Sequence, residues 1–211
     1  MRKDPQINLY QGDCMEAMAK MPDKAYDLAI VDPPYGIGAD GNKASTGGHG
    51  GRKAHDIKNW DSSRPDGVYF QELFRVSRNQ IIWGANYYPE KLTPSMGWIV
   101  WDKGQRINQS DGELAFSSFD RALRICNMNR VELLIEGTIH PTQKPVALYK
   151  WLLSRYAKPG DKILDTHGGS MSIACACWDM GFDLDLWELD KDYYKAGVER
   201  FNNYKRQILM F

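Results

Sequence analysis

Short apolar runs and longer amphipathic stretches take turns along this chain. "INLYQGD" (7–13), "YDLAIVD" (26–32), "NQIIWG" (79–84), "GWIVWD" (97–102), "GELAFSS" (112–118), "DKILD" (161–165) and "FDLDLWELD" (182–190) each read as a strand. Helical spacing marks 14–21, 67–77, 145–157, an Ala/Cys-rich stretch after 170, and 191–208, with Pro145 placed to open its helix. Strand–helix alternation predicts an α/β sheet with helices on both faces. Two stretches break the pattern. Residues 36–60 hold seven of the 19 glycines, with Lys43, Arg52, Lys53 and Lys58 against Asp40 and Asp56, and read as a long mobile loop. Residues 119–139 have no clear period.

A chain of 211 residues with 43% apolar side chains suits one domain with a sizeable core. Its 27 basic and 27 acidic side chains cancel, so a nucleic-acid partner would be gripped by local basic loops rather than by a globally basic surface. No apolar run approaches the ~18 residues of a membrane span, and no signal peptide is visible, which points to a cytoplasmic protein. Of the four cysteines, Cys175 and Cys177 lie in an apolar segment and read as core residues; a zinc site would want a second pair at ligand spacing. His49 and His55 read as incidental, and no metal is expected.

Several of the strands end in an acid, among them Asp13, Asp32, Asp165, and Glu188 with Asp190 beside it. One such acid is a helix cap or loop start as readily as a ligand. Four at the carboxyl edge of an α/β sheet, where ligands bind, favour a shared one. The turn Asp165-Thr166-His167-Gly168-Gly169-Ser170 precedes a helix and lets backbone approach a ligand closely. It lacks G-x-G-x-x-G and the phosphate-loop lysine, which leaves a nucleoside-like ligand carrying hydroxyls and a carboxylate. Glu188 sits where an acid takes ribose hydroxyls.

"DPPY" (32–35) adds a second chemistry. The prolines fix the backbone, so a carboxylate and a proline carbonyl can converge on one NH2 group while Tyr35 offers a stacking plate. Two acceptors would pull the amine hydrogens of adenine or cytosine out of plane and free a lone pair to attack a methyl carbon. Orientation of that kind is worth about 7–11 kcal/mol. By itself the segment is also an ordinary Pro-Pro turn.

With "HPTQKP" (140–145) and "LDTHGGS" (164–170) beside it, "DPPY" resembles the DNA amino-methyltransferases that act on adenine N6 or cytosine N4, in the β-class motif order. The resemblance implies a seven-stranded, mostly parallel sheet in a single domain, 1–211, with a short target-recognition insert at 102–139. It implies S-adenosyl-L-methionine as methyl donor, DNA as partner, a prokaryotic or phage origin and, as in many members, a homodimer. Asp165, His167, Gly168, Gly169 and Ser170 would line the amino-acid end of the cofactor. Glu188 would hold its ribose, Asp13 and Cys14 would lie near its adenine, and Thr142 and Lys144 near its carboxylate, with Lys144 as counter-charge. Asp32, Pro33, Pro34 and Tyr35 would hold the target base. Asp at the head of the motif favours adenine over cytosine. The family's Pro-Phe is Thr166-His167 here and its last glycine is Met171, so a catalytically impaired module that binds DNA or cofactor is the alternative.

Overall fold

A computed structural model describes residues 4–41, 58–104, 110–129 and 137–208. The sheet has eight strands where the sequence reading predicts seven. They are β1 (Ile7–Gln11), β2 (Tyr26–Val31), β3 (Ser77–Trp83), β4 (Ile99–Asp102), β5 (Gly112–Ser117), β6 (Arg124–Asn127), β7 (Lys162–Asp165) and β8 (Asp183–Glu188). The extra strand, β6, falls in the stretch 119–139. It has four residues at the sheet edge with only Cys126 buried, too short and too polar to show a period.

The spatial order is β1-β8-β7-β2-β3-β5-β4-β6. β5 pairs antiparallel with both β3 and β4, and every other pairing is parallel. The carboxyl ends of β1, β2, β3, β4, β6, β7 and β8 therefore share one edge, and of the eight β5 alone begins there. Register tightens this arrangement, with Gln11 opposite Glu188 and Asp102 opposite Gly112.

Alternation along β2 sorts the two cores. Leu28 and Ile30 join Ile163, Leu184 and Leu186 beneath α3 (Val146–Tyr156), α4 (Ser172–Met180) and α5 (Lys191–Ile208). Ala29 and Val31 face the other way, with Ile82 and Leu164, toward α1 (Cys14–Met18) and α2 (Gly67–Val76). Covering both faces is what lets central strands read as continuous apolar runs. Cys175 and Cys177 are fully buried in the first core. Among the described residues no three His, Cys, Asp or Glu side chains group to hold a metal ion, and no helix is long and apolar enough to cross a membrane.

Candidate active site

Val31 ends β2 and delivers Asp32 to the carboxyl edge, where two prolines prevent the strand from continuing. Asp61 organises the backbone that follows. Its carboxylate, 1% exposed, accepts from the amides of Gly36 and Ala39 at 2.7 Å each and of Ile37 at 3.3 Å. The Asp32–Tyr35 bend is thereby closed by an acid 26 to 29 residues further on. An isolated aspartate in a loop gave no signal of this role. Of the loop read at 36–60, residues 42–57 lie outside the described ones; its far end is tied down, because the Lys58 ammonium contacts Asp190 at 2.8 Å and Asp192 at 2.7 Å. Lys58, a candidate phosphate contact by sequence, is thus already paired.

Asp32 is enclosed by donors. The Tyr35 hydroxyl donates to its Oδ1 at 2.6 Å, and the Lys144 ammonium contacts its Oδ2. Lys144 also reaches Glu113 at 3.1 Å, and Glu113 receives Lys103 at 2.8 Å. Four charges therefore stand in a row: Asp32, Lys144, Glu113, Lys103. Burial would lower Lys144, but Asp32 and Glu113 outweigh it and keep the ammonium charged. Burial raises Asp32 above the usual carboxylate range, more than Lys144 draws it down. For Glu113 the balance is opposite: Lys144 and Lys103 overcome burial and hold it at about 2.

Several expected roles meet different neighbours. Lys144 is committed to two carboxylates, so it is a partner of Asp32 rather than a free counter-charge for a cofactor carboxylate. The Tyr35 ring stacks on Tyr87, with centroids 4.9 Å apart, and its hydroxyl serves the acid; one face of the expected stacking plate is already covered. The carbonyls of Pro33 and Pro34 accept the Tyr88 hydroxyl at 2.9 and 3.1 Å, which leaves each one lone pair for a guest amine. Asp13 caps α1 by accepting from the Met15 amide at 2.7 Å through Oδ1, so one of its oxygens serves the helix. Asp190 caps α5 in the same way, accepting from Asp192 and Tyr193.

Gly84 permits this packing. A Cβ built there would lie 2.0 Å from Tyr35 Cε1, and the residue has φ +67°, where a side chain is strained. Gly84→Ala is expected to displace Tyr35 and to lower the melting temperature by several degrees. Tyrosine fluorescence and thermal melts check both, and a variant with native values for each would remove this role from Gly84.

A cleft of about 830 Å³ joins the acid to the glycine turn: Asp32 and Pro34 line one part of it, and Gly168, Gly169 and Glu188 another. Asp13, Cys14, Thr142, Lys144, His167 and Ser170 also line it. Asp165 ends β7 beneath the turn, 2% exposed, accepting from the His167 amide at 3.0 Å. Burial pushes it up to about 8, with repulsion from Asp32 and Glu188 adding to the rise against the pull of that amide. Lys144 pulls it down only weakly, and among the described residues no ion pair reaches it. Both oxygens of Glu188 hold backbone amides, of Gly169 at 2.7 Å and Asp190 at 2.8 Å, fixing the carboxylate at the cleft. His167 stands edge-on to Tyr69 at 5.3 Å with Nδ1 2.9 Å from Thr166 Oγ1, and burial holds its pKa down to about 4, so it is neutral. Burial pushes the Cys14 thiol up to about 12, which makes it an apolar wall rather than a nucleophile. Met171, at the position of the family's last glycine, keeps a glycine-like φ of +57° and packs its side chain against Gly197.

Sequence reasoning missed Asp61, Glu113, Lys103 and Tyr88. Each acts across a sequence distance that no local pattern reveals.

The fold and this edge define an α/β protein with a nucleoside-sized cleft beside a buried carboxylate. A family model described as DNA methylase matches residues 100–208, just over half of the 211-residue chain. The chain belongs to that DNA methylase family. It is 24% identical over 243 residues to the DNA adenine methyltransferase YhdJ of Escherichia coli K12, covering 92% of this chain and 82% of that protein. Among solved structures, the M1.HpyAVI–SAM complex superposes with a TM-score of 0.62 at 19% identity, covering 93% of this chain and all of the other. The cytosine-N4-specific PvuII DNA methyltransferase gives 0.59 at 13% identity, covering 98% and 95%. At those identities the superpositions speak for the fold alone.

Proposed function

We propose that this protein transfers a methyl group from S-adenosyl-L-methionine to the N6 amine of an adenine flipped out of DNA. The observation that carries the reading is the single cleft lined by both Asp32 and the Gly168–Gly169 turn: a donor on the turn and an amine at the acid lie in one chamber.

The residues suit that cofactor. Asp165, buried and in no ion pair among the described residues, would match an α-ammonium. Glu188, pinned by two amides, offers its remaining lone pairs to ribose hydroxyls. Cys14, Met15 and Val68 supply apolar wall. When bound, S-adenosyl-L-methionine supplies an electrophilic methyl carbon with a neutral thioether as leaving group. Asp32 orients the amine by accepting one of its hydrogens, so that the lone pair lies in line with that carbon. The negative carboxylate stabilises the positive charge that develops on nitrogen. Its raised proton affinity suits it to take the proton that the methylated nitrogen must lose. A paired amine in duplex DNA is out of reach, so the base must be extruded first.

Adenine is preferred because Asp heads the motif and because the curated relative YhdJ acts on adenine. Digesting DNA exposed to the protein and cofactor to nucleosides, with mass spectrometry, tests this; N6-methyl-2′-deoxyadenosine is expected. N4-methyl-2′-deoxycytidine as sole product would overturn the base assignment, and no modified nucleoside would favour the impaired-module alternative. DNA contact by the basic side chains of 42–57 and of the β4–β5 turn belongs to the same proposal. So do placement in a prokaryotic or phage-infected cytoplasm and pairing into a homodimer.

A further inference from the structure

We infer that Glu113 is a positioning residue for methyl transfer, the resting place to which the Lys144 ammonium withdraws when the target amine reaches Asp32. The inference rests on the methyl-transfer reading above and deepens it.

Both oxygens of Asp32 are engaged, Oδ1 by the Tyr35 hydroxyl and Oδ2 by Lys144. An amine arriving at Asp32 competes with that ammonium, and a positive charge developing on the amine nitrogen is repelled by it. Lys144 has little contact with water to retreat to, its side chain being 2% exposed. The carboxylates it contacts among the described residues are Asp32 and Glu113, and Glu113 is already 3.1 Å away. A small swing therefore exchanges one carboxylate for another and leaves no buried ion unpaired, the condition under which a buried charge is tolerated. Lys103 holds the other oxygen of Glu113 at 2.8 Å, so the resting place stays put when Lys144 arrives. Two carboxylates and two ammoniums keep the row neutral before and after. In the step itself the N–CH3 bond forms as the CH3–S bond breaks with its electron pair to sulfur. The nitrogen then gives a proton to Asp32 and keeps the N–H electron pair.

The test uses the full chain, unmethylated plasmid DNA and methyl-labelled S-adenosyl-L-methionine. Glu113→Gln keeps size and one acceptor for Lys103 but removes the charge that draws Lys144 away. We expect kcat to fall roughly 10–100-fold, with cofactor Kd by calorimetry unchanged within about twofold. We also expect the acid limb of the kcat–pH profile to move to lower pH. The charged and titratable groups facing Asp32 are Lys144, Glu113 and Tyr35, with Asp165, Tyr88 and Tyr149 nearby. Losing the Glu113 charge and keeping Lys144 on Asp32 both favour the Asp32 anion. Lys103→Gln loosens Glu113 but removes a positive charge from the row, so it should give a smaller loss with the acid limb moved the other way, to higher pH, and it carries the test should Glu113→Gln not fold. Unchanged kcat, or a loss with an unmoved acid limb, overturns the inference while native transfer leaves the methyl-transfer reading standing. No transfer by the native protein overturns both.

Discussion

Asp32→Ala should abolish methyl transfer, by about 10³-fold or more, while the cofactor binds as before. In the proposed mechanism the acid orients the amine, offsets its developing charge and takes its proton, and the loss of one electrostatic contact of this kind costs about 10²–10³ in rate. The variant should still fold. Removing one partner of a buried pair ordinarily costs about 3–5 kcal/mol through the ion left behind, but here Lys144 retains Glu113 at 3.1 Å. A drop of only a few degrees in melting temperature is expected. Asp32→Asn keeps an acceptor without the charge and should fall between native and alanine. Label transfer, calorimetric cofactor Kd and thermal melts measure the three quantities together. Native turnover by Asp32→Ala would remove the acid from the mechanism; loss of cofactor binding would make it structural.

Asp165→Asn should separate stability from binding. The carboxyl sits at about 8 when folded, against an ordinary value of 3.8. Between those values the folded chain holds a proton that the unfolded chain has released. The stability this group contributes is full below the unfolded value and is lost as pH rises through about 8. Asparagine has no such dependence, so the variant should gain on the native protein as pH climbs from 5 to 8. Each kcal/mol of that gain shows as about 2–4 °C in melting temperature. The same substitution discards the charge that would meet the cofactor's ammonium, and affinity should fall roughly 100-fold, in line with a charge-assisted hydrogen bond of about 1.5–3 kcal/mol. In the native protein the carboxyl must release its proton to pair with the ammonium. Cofactor affinity should therefore rise by about tenfold per pH unit toward 8 and then level off. A flat binding profile from pH 6 to 8 would exclude Asp165 as the ammonium's partner.

Legibility of this molecule from sequence divides by range. Asp32, Asp165 and Glu188 could be found because each ends an apolar run, and a parallel sheet carries all such ends to one edge. The Pro-Pro pair and the Gly-Gly turn marked what those ends do locally. β6 escaped because a four-residue edge strand with one buried side chain has no period to read. Glu113 escaped for a geometric reason: it begins a strand, and a search of strand ends passes over it. β5 runs against its neighbours, so its start meets the others' finish. Its bond to Lys144 spans 31 positions and depends on that reversal. The capping roles of Asp13 and Asp190 were legible as alternatives and are what the structure displays. Tyr35 was read as a plate for a base; its observed contact is the hydroxyl on Asp32, which no one-dimensional pattern encodes.

The root of the β4–β5 hairpin is stapled several times over. Lys103 and Glu113 pair by their side chains, the Lys103 amide donates to the Asp111 carbonyl at 2.9 Å, and the Gly104 amide donates to Asp102 at 2.9 Å. A turn anchored so firmly at its base is a grafting point. Foreign peptide inserted beyond Gly104 would hang from a closed ring rather than pull on the catalytic carboxylate. On the proposed function, peptides for reading new DNA sequences would be exchanged there.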